Sequence, residues 1–351
     1  MLEKCNYIRL FGNKPNFYKA NLNCHTNISD GNFSPEEIKE LYKSQGYSIV
    51  AYSDADVMIP HHDLTDENFL ALTACEYSVD GENGKSVHFN AISLDKDNDT
   101  QPLWHREKYV HDYAMPSRDK VKFDPSLTDY ERDFSVDGIS KMMQDCHDAG
   151  FFVTLNHPRA SAISQADYTA YSGMDAIEVM NYSSIANGVD EYNGNIYEDI
   201  LKSGKRPYCV AGDENRNEVP FGSRYSDACG AYTMINAEKL DYESVANALK
   251  NGSFYTTEGP EIYDLWYRSE VLYIRCSPVD KIIFESATHR KIYCGENGHQ
   301  LDGKGIFFWA MPDHGYARVT IIDKNGKKAY SNAYSTNMLF YTYDKLEEGR
   351  L

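Results

Sequence analysis

A short polar segment near the N-terminus, residues 21–31 (NLNCHTNISDG), combines residue types that can bind a metal ion. His25 comes at the end of a strand-like stretch, and Asp30 follows it by five residues across a polar loop. An imidazole and a carboxylate are suitable ligands for a divalent transition metal. Ser34 and Pro35 then fit the N-cap and first turn of a helix, so the loop is predicted to connect a strand to a helix.

Other potential ligands lie next to predicted strands farther along the chain. Each directly precedes or follows a short run of residues with a strand pattern: Asp54, Asp56, Glu76, His88, His157, Asp213 and Glu214. In a βα barrel the carboxyl ends of all strands face one mouth, so side chains that are distant in sequence converge there. Imidazole and carboxylate ligands at one mouth suit zinc, manganese or iron, and they do not suit calcium.

The elements that would position these residues alternate between strand and helix patterns over residues 1–262. A helix is predicted over 138–149, and strands are predicted at 48–52, 151–155, 176–180 and 208–211. Repeated βα units over this length predict an α/β domain whose parallel sheet is closed or nearly closed.

The pattern changes near residue 263. Short strand patterns separated by Gly-containing turns follow at 271–274, 281–284, 306–309 and 317–322. They predict a small antiparallel, sandwich-like β domain over 263–351, after the α/β domain over 1–262.

Composition excludes several classes of partner. The formal net charge of −18 disfavours nucleic acid and anionic membranes, which both need basic patches, but it does not disfavour a small phosphate ester at a cationic metal. No apolar run is long enough to span a membrane, and the N-terminal residues lack the apolar core of a signal peptide. The eight cysteines include no Cys-x-x-Cys pair, which disfavours a thiolate zinc site and predicts a cytoplasmic protein with reduced cysteines.

The order of the potential ligands resembles the PHP (polymerase and histidinol phosphatase) family, whose first motif is His-x-His-Thr-x-x-Ser-Asp-Gly. Here that motif begins at Asn23, which stands in place of the first His. The later motifs of the family are matched in order at 53–56, 74–76, 88–90, 156–158 and 212–216. The resemblance implies a distorted (β/α)7 TIM-like barrel, the PHP fold, followed by the small C-terminal antiparallel β domain.

The resemblance also implies up to three metal ions. The ligands implied for one ion are all present, and they are Glu76, His88 and His157. A second ion would take Asn23, His25, Glu76 and a late acid, either Asp213 or Glu214. An asparagine can coordinate only weakly through its amide oxygen, so a hydrogen-bonding role is the favoured interpretation of Asn23. Related chains often carry two acids in a row at the late position, which favours Glu214.

The third implied ion would take Asp30, a His in the second-strand motif and a final His. Ala55 stands at the second of these positions and has no donor atom. The final His is replaced by Asn215 or by Arg216, depending on which acid is the late ligand. A lone carboxylate cannot hold an ion, so we expect this site to be lost and one or two ions to remain.

Three further residues have two interpretations each. Arg216 could bind a substrate phosphate or carboxylate in place of the lost charge, or it could form a structural ion pair with Asp30 or Asp56. Arg159 could reach a substrate anion or the surface. Glu178 lies in the middle of a predicted strand, and it either lines the pocket or orients a ligand histidine.

The resemblance therefore implies a metal-dependent phosphoesterase that hydrolyses a small phosphate ester with one or two zinc, manganese or iron ions. Its catalytic residues would be Glu76, His157 and Arg216, and its substrate contacts would be Arg216 and Arg159. Because several ligand positions are changed, the alternative is a catalytically degenerate PHP-like protein that binds a small anionic ligand without turnover.

Overall fold

The computed structural model describes residues 6–81, 84–296 and 299–347. The helices of this part of the chain are α1 (Pro35–Ser44), α2 (Val136–Asp148), α3 (Gln165–Ala170), α4 (Tyr182–Ala186), α5 (Gly194–Lys202), α6 (Tyr242–Lys250) and α7 (Thr336–Glu347). Short 3-10 helices span His62–Leu64, Met115–Lys120 and Pro312–His314.

The strands of the α/β segment are β1 (Ile8–Phe11), β2 (Asn16–Cys24), β3 (Ile49–Tyr52), β4 (Leu70–Asp80), β5 (Ser86–Ser93), β6 (Phe151–Leu155), β7 (Ala176–Asn181), β8 (Tyr208–Gly212), β9 (Tyr232–Ala237) and β10 (Phe254–Thr257). The strands of the C-terminal segment are β11 (Ile262–Arg268), β12 (Val271–Cys276), β13 (Lys281–Ser286), β14 (Arg290–Cys294), β15 (Phe307–Trp309), β16 (Ala317–Ile322) and β17 (Lys328–Ser331).

A large mixed sheet carries most of these strands, in the order β14-β13-β16-β17-β10-β9-β2-β3-β4-β5-β6-β7-β8. The pairs β2–β3, β3–β4, β6–β7 and β7–β8 are parallel, whereas β5 is antiparallel to both of its neighbours. The predicted α/β architecture is therefore present. Ladders between described strands leave the sheet open at β8, so a closed barrel stays a prediction. A single bridge from Cys24 to Asn215 links the end of β2 to the chain just after β8.

Local sequence explains the elements that carry the site. The Ser34 hydroxyl accepts a hydrogen bond from the backbone N–H of Glu37, whose side chain accepts one from the Ser34 backbone, so α1 begins with the predicted capping box. Ile38 and Tyr42 form the buried face of this helix. Strand β6 is buried at every position, as expected for an apolar strand covered on both faces.

The C-terminal segment is antiparallel, as predicted, and it completes a second sheet in the order β1-β11-β12-β15. Its core lies between this sheet and strands β13, β14, β16 and β17 of the large sheet. The buried residues of this core include Leu265, Leu272, Ile282, Phe308 and Val319. The N-terminal strand β1 pairs with β11, so residues from both ends of the chain build this sheet.

An irregular segment between β5 and α2 approaches the mouth of the large sheet. It is anchored by Arg132, whose Nη2 lies 2.6 Å from Asp56 Oδ1, and by Gln101, whose Nε2 donates to the Asp56 carbonyl at 3.0 Å. Both residues contact Asp56, which follows β3, so the segment forms one wall of the mouth. None of the described helices is long and apolar enough to cross a membrane.

Candidate metal centre

Four residues from separate elements offer ligand atoms that all lie within 4.8 Å of one another. Glu76 lies in β4 and His88 in β5, whereas His157 follows β6 and Glu214 follows β8. Three of them are buried and His88 is partly exposed. Nitrogen and carboxylate oxygen donors in this number suit zinc, manganese or iron.

The Glu76 carboxylate is the centre of this group, and His25 also faces it. The His25 Nε2 lies 3.1 Å from Glu76 Oε2, the His88 Nδ1 3.8 Å from the same oxygen, and the His157 Nε2 3.6 Å from Oε1. The His157 Nε2 also lies 3.4 Å from Glu214 Oε2. None of these three buried imidazole nitrogens has a hydrogen-bond partner among the described residues. Buried polar atoms are normally paired, so three unpaired nitrogens around one carboxylate fit a site for a cation.

The opposite nitrogen of each imidazole does have an oxygen partner. Asp30 Oδ1 lies 2.5 Å from His25 Nδ1, Ser86 Oγ 2.9 Å from His88 Nε2, and Ser161 Oγ 3.0 Å from His157 Nδ1. In metal sites such contacts hold the ring in place and leave the other nitrogen free to coordinate. All three histidines are arranged in this way.

The backbone is also unusual at the site. His157 has a φ of 23° and Glu214 a φ of 50°, in the left-handed region that residues other than glycine rarely adopt. Strained conformations of this kind persist where the surrounding structure enforces them, and they concentrate at functional sites. Here the strain turns two side chains towards Glu76.

Charge at the site is concentrated and buried. Burial alone would raise the pKa of Glu76, but contacts with His157 and His25 hold it well below its usual range. Burial alone would lower the pKa of His157, but the charges of Glu214 and Glu76 raise it to about 10. A divalent cation would compensate the same carboxylates and would displace the imidazole proton on binding.

Asp213, the alternative late acid, lies away from this group. Its carboxylate accepts hydrogen bonds from the Tyr42 hydroxyl at 2.8 Å and from the backbone N–H groups of Cys229, Gly230 and Ala231 at 2.7, 3.0 and 3.1 Å. Burial raises the pKa of Asp213 to about 6, although these hydrogen bonds act in the opposite direction. The three backbone donors tie the chain after β8 to the start of β9, and the Tyr42 hydroxyl ties it to α1.

Asn23 and Asp30 have protein partners on their oxygens. The Asn23 Oδ1 accepts from the Ser53 hydroxyl at 3.1 Å, and its Nδ2 lies 3.5 Å from Glu178 Oε1. The two Asp30 oxygens contact His25 and Arg216. Asn23 thus makes hydrogen bonds to Ser53 and Glu178, and Asp30 contacts His25 Nδ1.

The Arg216 guanidinium lies between two carboxylates, with its Nε 2.6 Å from Asp30 Oδ2 and its Nη2 2.9 Å from Glu214 Oε1. It pairs with Asp30, as one sequence interpretation had it, whereas Asp56 pairs with Arg132 instead. Ala55 forms a backbone bridge with Glu76.

Arg159 lies outside the group, because its Nη1 pairs with Asp190 at 2.7 Å and its side chain is 38% exposed. Sequence reasoning did not identify the serines that hold His88 and His157. Ser86 could have been found, since it lies two residues before His88 and so faces the same side of the strand. The contact of Ser161 depends on the turn after β6, which has no comparable local signal.

A cleft of about 470 Å³ adjoins the group. It is lined by Ser78, Asp80, Tyr109, Val110, His111, Asp112 and Arg132. Ser78 is the cross-strand partner of His88, so the cleft begins beside the metal ligands. Its volume is within the range of small-molecule sites.

Comparisons with known proteins found distant structural likenesses alone. No protein-family model and no curated protein matches it. It is similar to a two-domain protein from Bacteroides vulgatus that contains a predicted PHP-like metal-dependent phosphoesterase, with a TM-score of 0.40 and 15% identity over 95% of this chain and 100% of that chain.

Two further solved structures are similar over shorter stretches. One is described as a metal-dependent phosphoesterase from Bifidobacterium adolescentis, with a TM-score of 0.34 and 15% identity over 60% of this chain and 92% of that chain. The other is an amidohydrolase from Chromobacterium violaceum with bound sulfate and no metal, with a TM-score of 0.34 and 14% identity over 56% of this chain and 87% of that chain. Likenesses of this size do not establish a reaction.

Proposed function

We propose that the chain is a metal-dependent hydrolase of a small phosphate ester. One observation carries this proposal: three buried imidazole nitrogens without hydrogen-bond partners face Glu76. Each of the three rings is held by an oxygen at its other nitrogen. An arrangement that only stabilised the fold would be expected to pair these nitrogens, because leaving buried polar atoms unpaired costs free energy.

Glu76, His88, His157 and Glu214 would hold a divalent ion, which supplies Lewis-acid charge for a phosphoryl oxygen and lowers the pKa of bound water towards neutrality. The residues themselves have separate tasks. Glu76 would use Oε2, since its Oε1 accepts from Asn156 Nδ2 at 2.6 Å, while Ser86 and Ser161 fix the ring orientations of the two histidines. The adjoining cleft would accept the leaving group of the ester.

The proposed number of ions follows from which side-chain oxygens already accept hydrogen bonds or form ion pairs within the protein. Asn23 and Asp30 use theirs on protein donors, and the Arg216 guanidinium lies where the resemblance would put a further ion. We therefore propose one ion at the four-residue group. A second ion would depend on His25, which is the remaining histidine that faces Glu76.

A second candidate function is the binding of a small anion without turnover. Arg216 favours it, because its ion pairs with Asp30 and Glu214 already neutralise part of the charge that a complete metal cluster would neutralise. In this candidate the guanidinium would be the anion-binding group, as planar bidentate recognition of phosphate allows.

We also propose a class of ligand and a cellular location. The net charge of −18 supports a small phosphorylated or anionic ligand rather than nucleic acid or a membrane surface. The described cysteines are all free, which agrees with the proposed cytoplasmic location.

The deciding experiment measures metal content and turnover on the same samples. Purified protein is stripped with a chelator, reloaded with zinc or manganese, and assayed with p-nitrophenyl phosphate. We expect bound metal and metal-dependent hydrolysis in the wild type, and neither in Glu76→Ala. Bound metal without hydrolysis of a panel of phosphate esters would favour the anion-binding candidate. Hydrolysis that persists without metal would contradict the proposal.

A further inference from the structure

Glu178 is a buried carboxylate beneath the metal ligands. It lies in the middle of β7, and only 1% of its surface is exposed. Its Oε2 accepts a hydrogen bond from the backbone N–H of His157 at 3.0 Å and another from Asn181 Nδ2 at 3.0 Å. The side chain therefore contacts the backbone of one candidate ligand and leaves the ligand's imidazole free.

Asn181 extends this contact to a second ligand. Its Nδ2 also donates to Glu214 Oε2 at 2.8 Å, so a single amide group bridges the Glu178 and Glu214 carboxylates. Its Oδ1 accepts from the backbone N–H of Ser184 and caps α4, which fixes the direction of the amide. Glu178, Asn181 and Glu214 thus form a connected network that ends at the metal group.

The two ligands that this network contacts are also the two with left-handed backbone. His157 and Glu214 have φ angles of 23° and 50°, and each needs a partner that holds it against relaxation. Gly212 of β8 packs closely on this region, because a Cβ placed there would lie 2.8 Å from the Asn23 Cβ and 3.1 Å from Glu178 Oε1.

We propose that Glu178 is a positioning residue of the metal centre. It holds His157 through its backbone N–H and Glu214 through Asn181, and so it sets the relative placement of two ligands that are distant in sequence. The inference rests on the proposed metal site and adds a residue that does not itself coordinate. Groups that orient ligands in this way typically change metal affinity by about 10–100-fold when they are removed.

The chain offers a matched control in Glu191. This carboxylate is fully buried, and it binds the same turn from the other side, accepting from the backbone N–H groups of Arg159 at 3.1 Å and Ala160 at 2.7 Å. It hydrogen-bonds to neither His157 nor Glu214 among the described contacts. A general loosening of the turn would therefore affect Glu191→Gln and Glu178→Gln alike, whereas loss of ligand positioning would affect only the second.

The test is a cobalt titration of the metal-stripped full chain, followed by visible absorption, in wild type, Glu178→Gln and Glu191→Gln. Absorption bands of bound cobalt report ligand geometry directly and do not require turnover. We expect Glu178→Gln to weaken cobalt binding by about 10–100-fold and to shift the bands, and Glu191→Gln to leave both unchanged. If Glu178→Gln does not fold, as judged by circular dichroism, Asn181→Ala removes the bridge to Glu214 and should shift the bands instead.

The outcomes separate this inference from the proposed function. Cobalt bands in the wild type that change with Glu178→Gln support the positioning role even when no phosphate ester is hydrolysed. Identical bands and affinity in wild type and Glu178→Gln overturn the positioning role while leaving the hydrolase proposal intact. Equal effects of the two glutamate variants also overturn it, and a wild type without cobalt bands overturns both proposals.

Discussion

Two buried glutamates, Glu76 at the mouth of the large sheet and Glu285 in the C-terminal segment, have opposite surroundings. They are 1% and 6% exposed. Glu285 contacts Arg318 Nη2 at 2.6 Å through one oxygen and Arg290 Nη2 at 2.6 Å through the other. Glu76 instead faces imidazoles whose nitrogens lie 3.1–3.8 Å away without hydrogen-bond geometry. One carboxylate is held between two guanidinium groups, while the other accepts a hydrogen bond from Asn156 Nδ2 at 2.6 Å and faces three imidazole rings.

The difference shows how one residue type serves stability in one region and binding in the other. Arg290 also contacts Glu198 of α5 at 3.3 Å, and the Arg318 guanidinium lies over the Tyr197 ring, so the Glu285 group ties the C-terminal strands to the α/β segment. Both oxygens of Glu285 therefore have a guanidinium partner within the protein. The Glu76 group, in contrast, has three imidazole nitrogens without hydrogen-bond partners among the described residues, which is the arrangement that the proposed metal site would require.

Removing Glu76 is the most direct test of the contrast between Glu76 and Glu285. We expect Glu76→Ala to abolish metal binding in a titration, because this carboxylate is the group that all three histidines face. Thermal unfolding of the metal-free protein should also occur at a lower temperature, because the buried Asn156 amide that donates to Glu76 Oε1 at 2.6 Å loses its acceptor. Metal affinity equal to that of the wild type would show that the group does not bind the ion.

Glu285→Ala should reduce stability and leave metal binding intact. It leaves Arg318, which is 2% exposed, without its carboxylate partner, and breaking a buried ion pair typically costs about 3–5 kcal/mol. We expect a loss of that size in the free energy of unfolding from urea denaturation, with metal affinity unchanged in the folded fraction. A substantial loss of metal affinity would mean that the two regions are coupled, contrary to the contrast drawn between them.

Local sequence patterns predict much of the fold. Strands β6 and β16 occupy their predicted bounds, because each is an apolar run bounded by glycine or polar turn residues. Helix α7 has no such signal, since apolar residues such as Met338 and Tyr341 remain exposed on it and no single stripe results. The pairing of β1 with β11 joins distant segments, which local periodicity cannot specify.

The site shows the same limit at the level of single side chains. Residue types and order indicate a metal group near Glu76, but they leave both Asp213 and Glu214 open as the late acid, and only the family resemblance favours Glu214. The structure separates them through backbone geometry, because Glu214 has a φ of 50° and turns towards His157 while Asp213 turns towards the β9 side. Which side-chain oxygen contacts which imidazole ring depends on the folded backbone.

Glu214 and Asp213 repeat, with smaller expected effects, the contrast between a carboxylate proposed to bind metal and one that stabilises the fold. Glu214→Gln should weaken metal binding by about 10–100-fold, because it removes a charged oxygen next to His157. Asp213→Asn should leave metal affinity unchanged but should lower the free energy of unfolding by about 1–3 kcal/mol, because an amide NH2 would face backbone N–H donors. Calorimetric titration and urea denaturation of both variants measure the two effects. If Asp213→Asn weakened metal binding and Glu214→Gln did not, Asp213 would be the late ligand.

The smallest effect is expected from Asn23→Ala. The resemblance implies a ligand at this position, yet the Asn23 Oδ1 accepts from Ser53 and its Nδ2 points towards Glu178. Removing this side chain should therefore reduce metal affinity by less than about tenfold, as expected for a residue that contacts the site only indirectly. The cost should appear mainly as reduced stability, because Ser53 and Glu178 each lose a buried partner. Metal titration of Asn23→Ala beside Glu76→Ala provides the measurement, since a loss as complete as that of Glu76→Ala would show that Asn23 coordinates the ion. In that case its amide oxygen would have to leave Ser53 when metal binds, and Ser53→Ala should then strengthen metal binding rather than leave it unchanged.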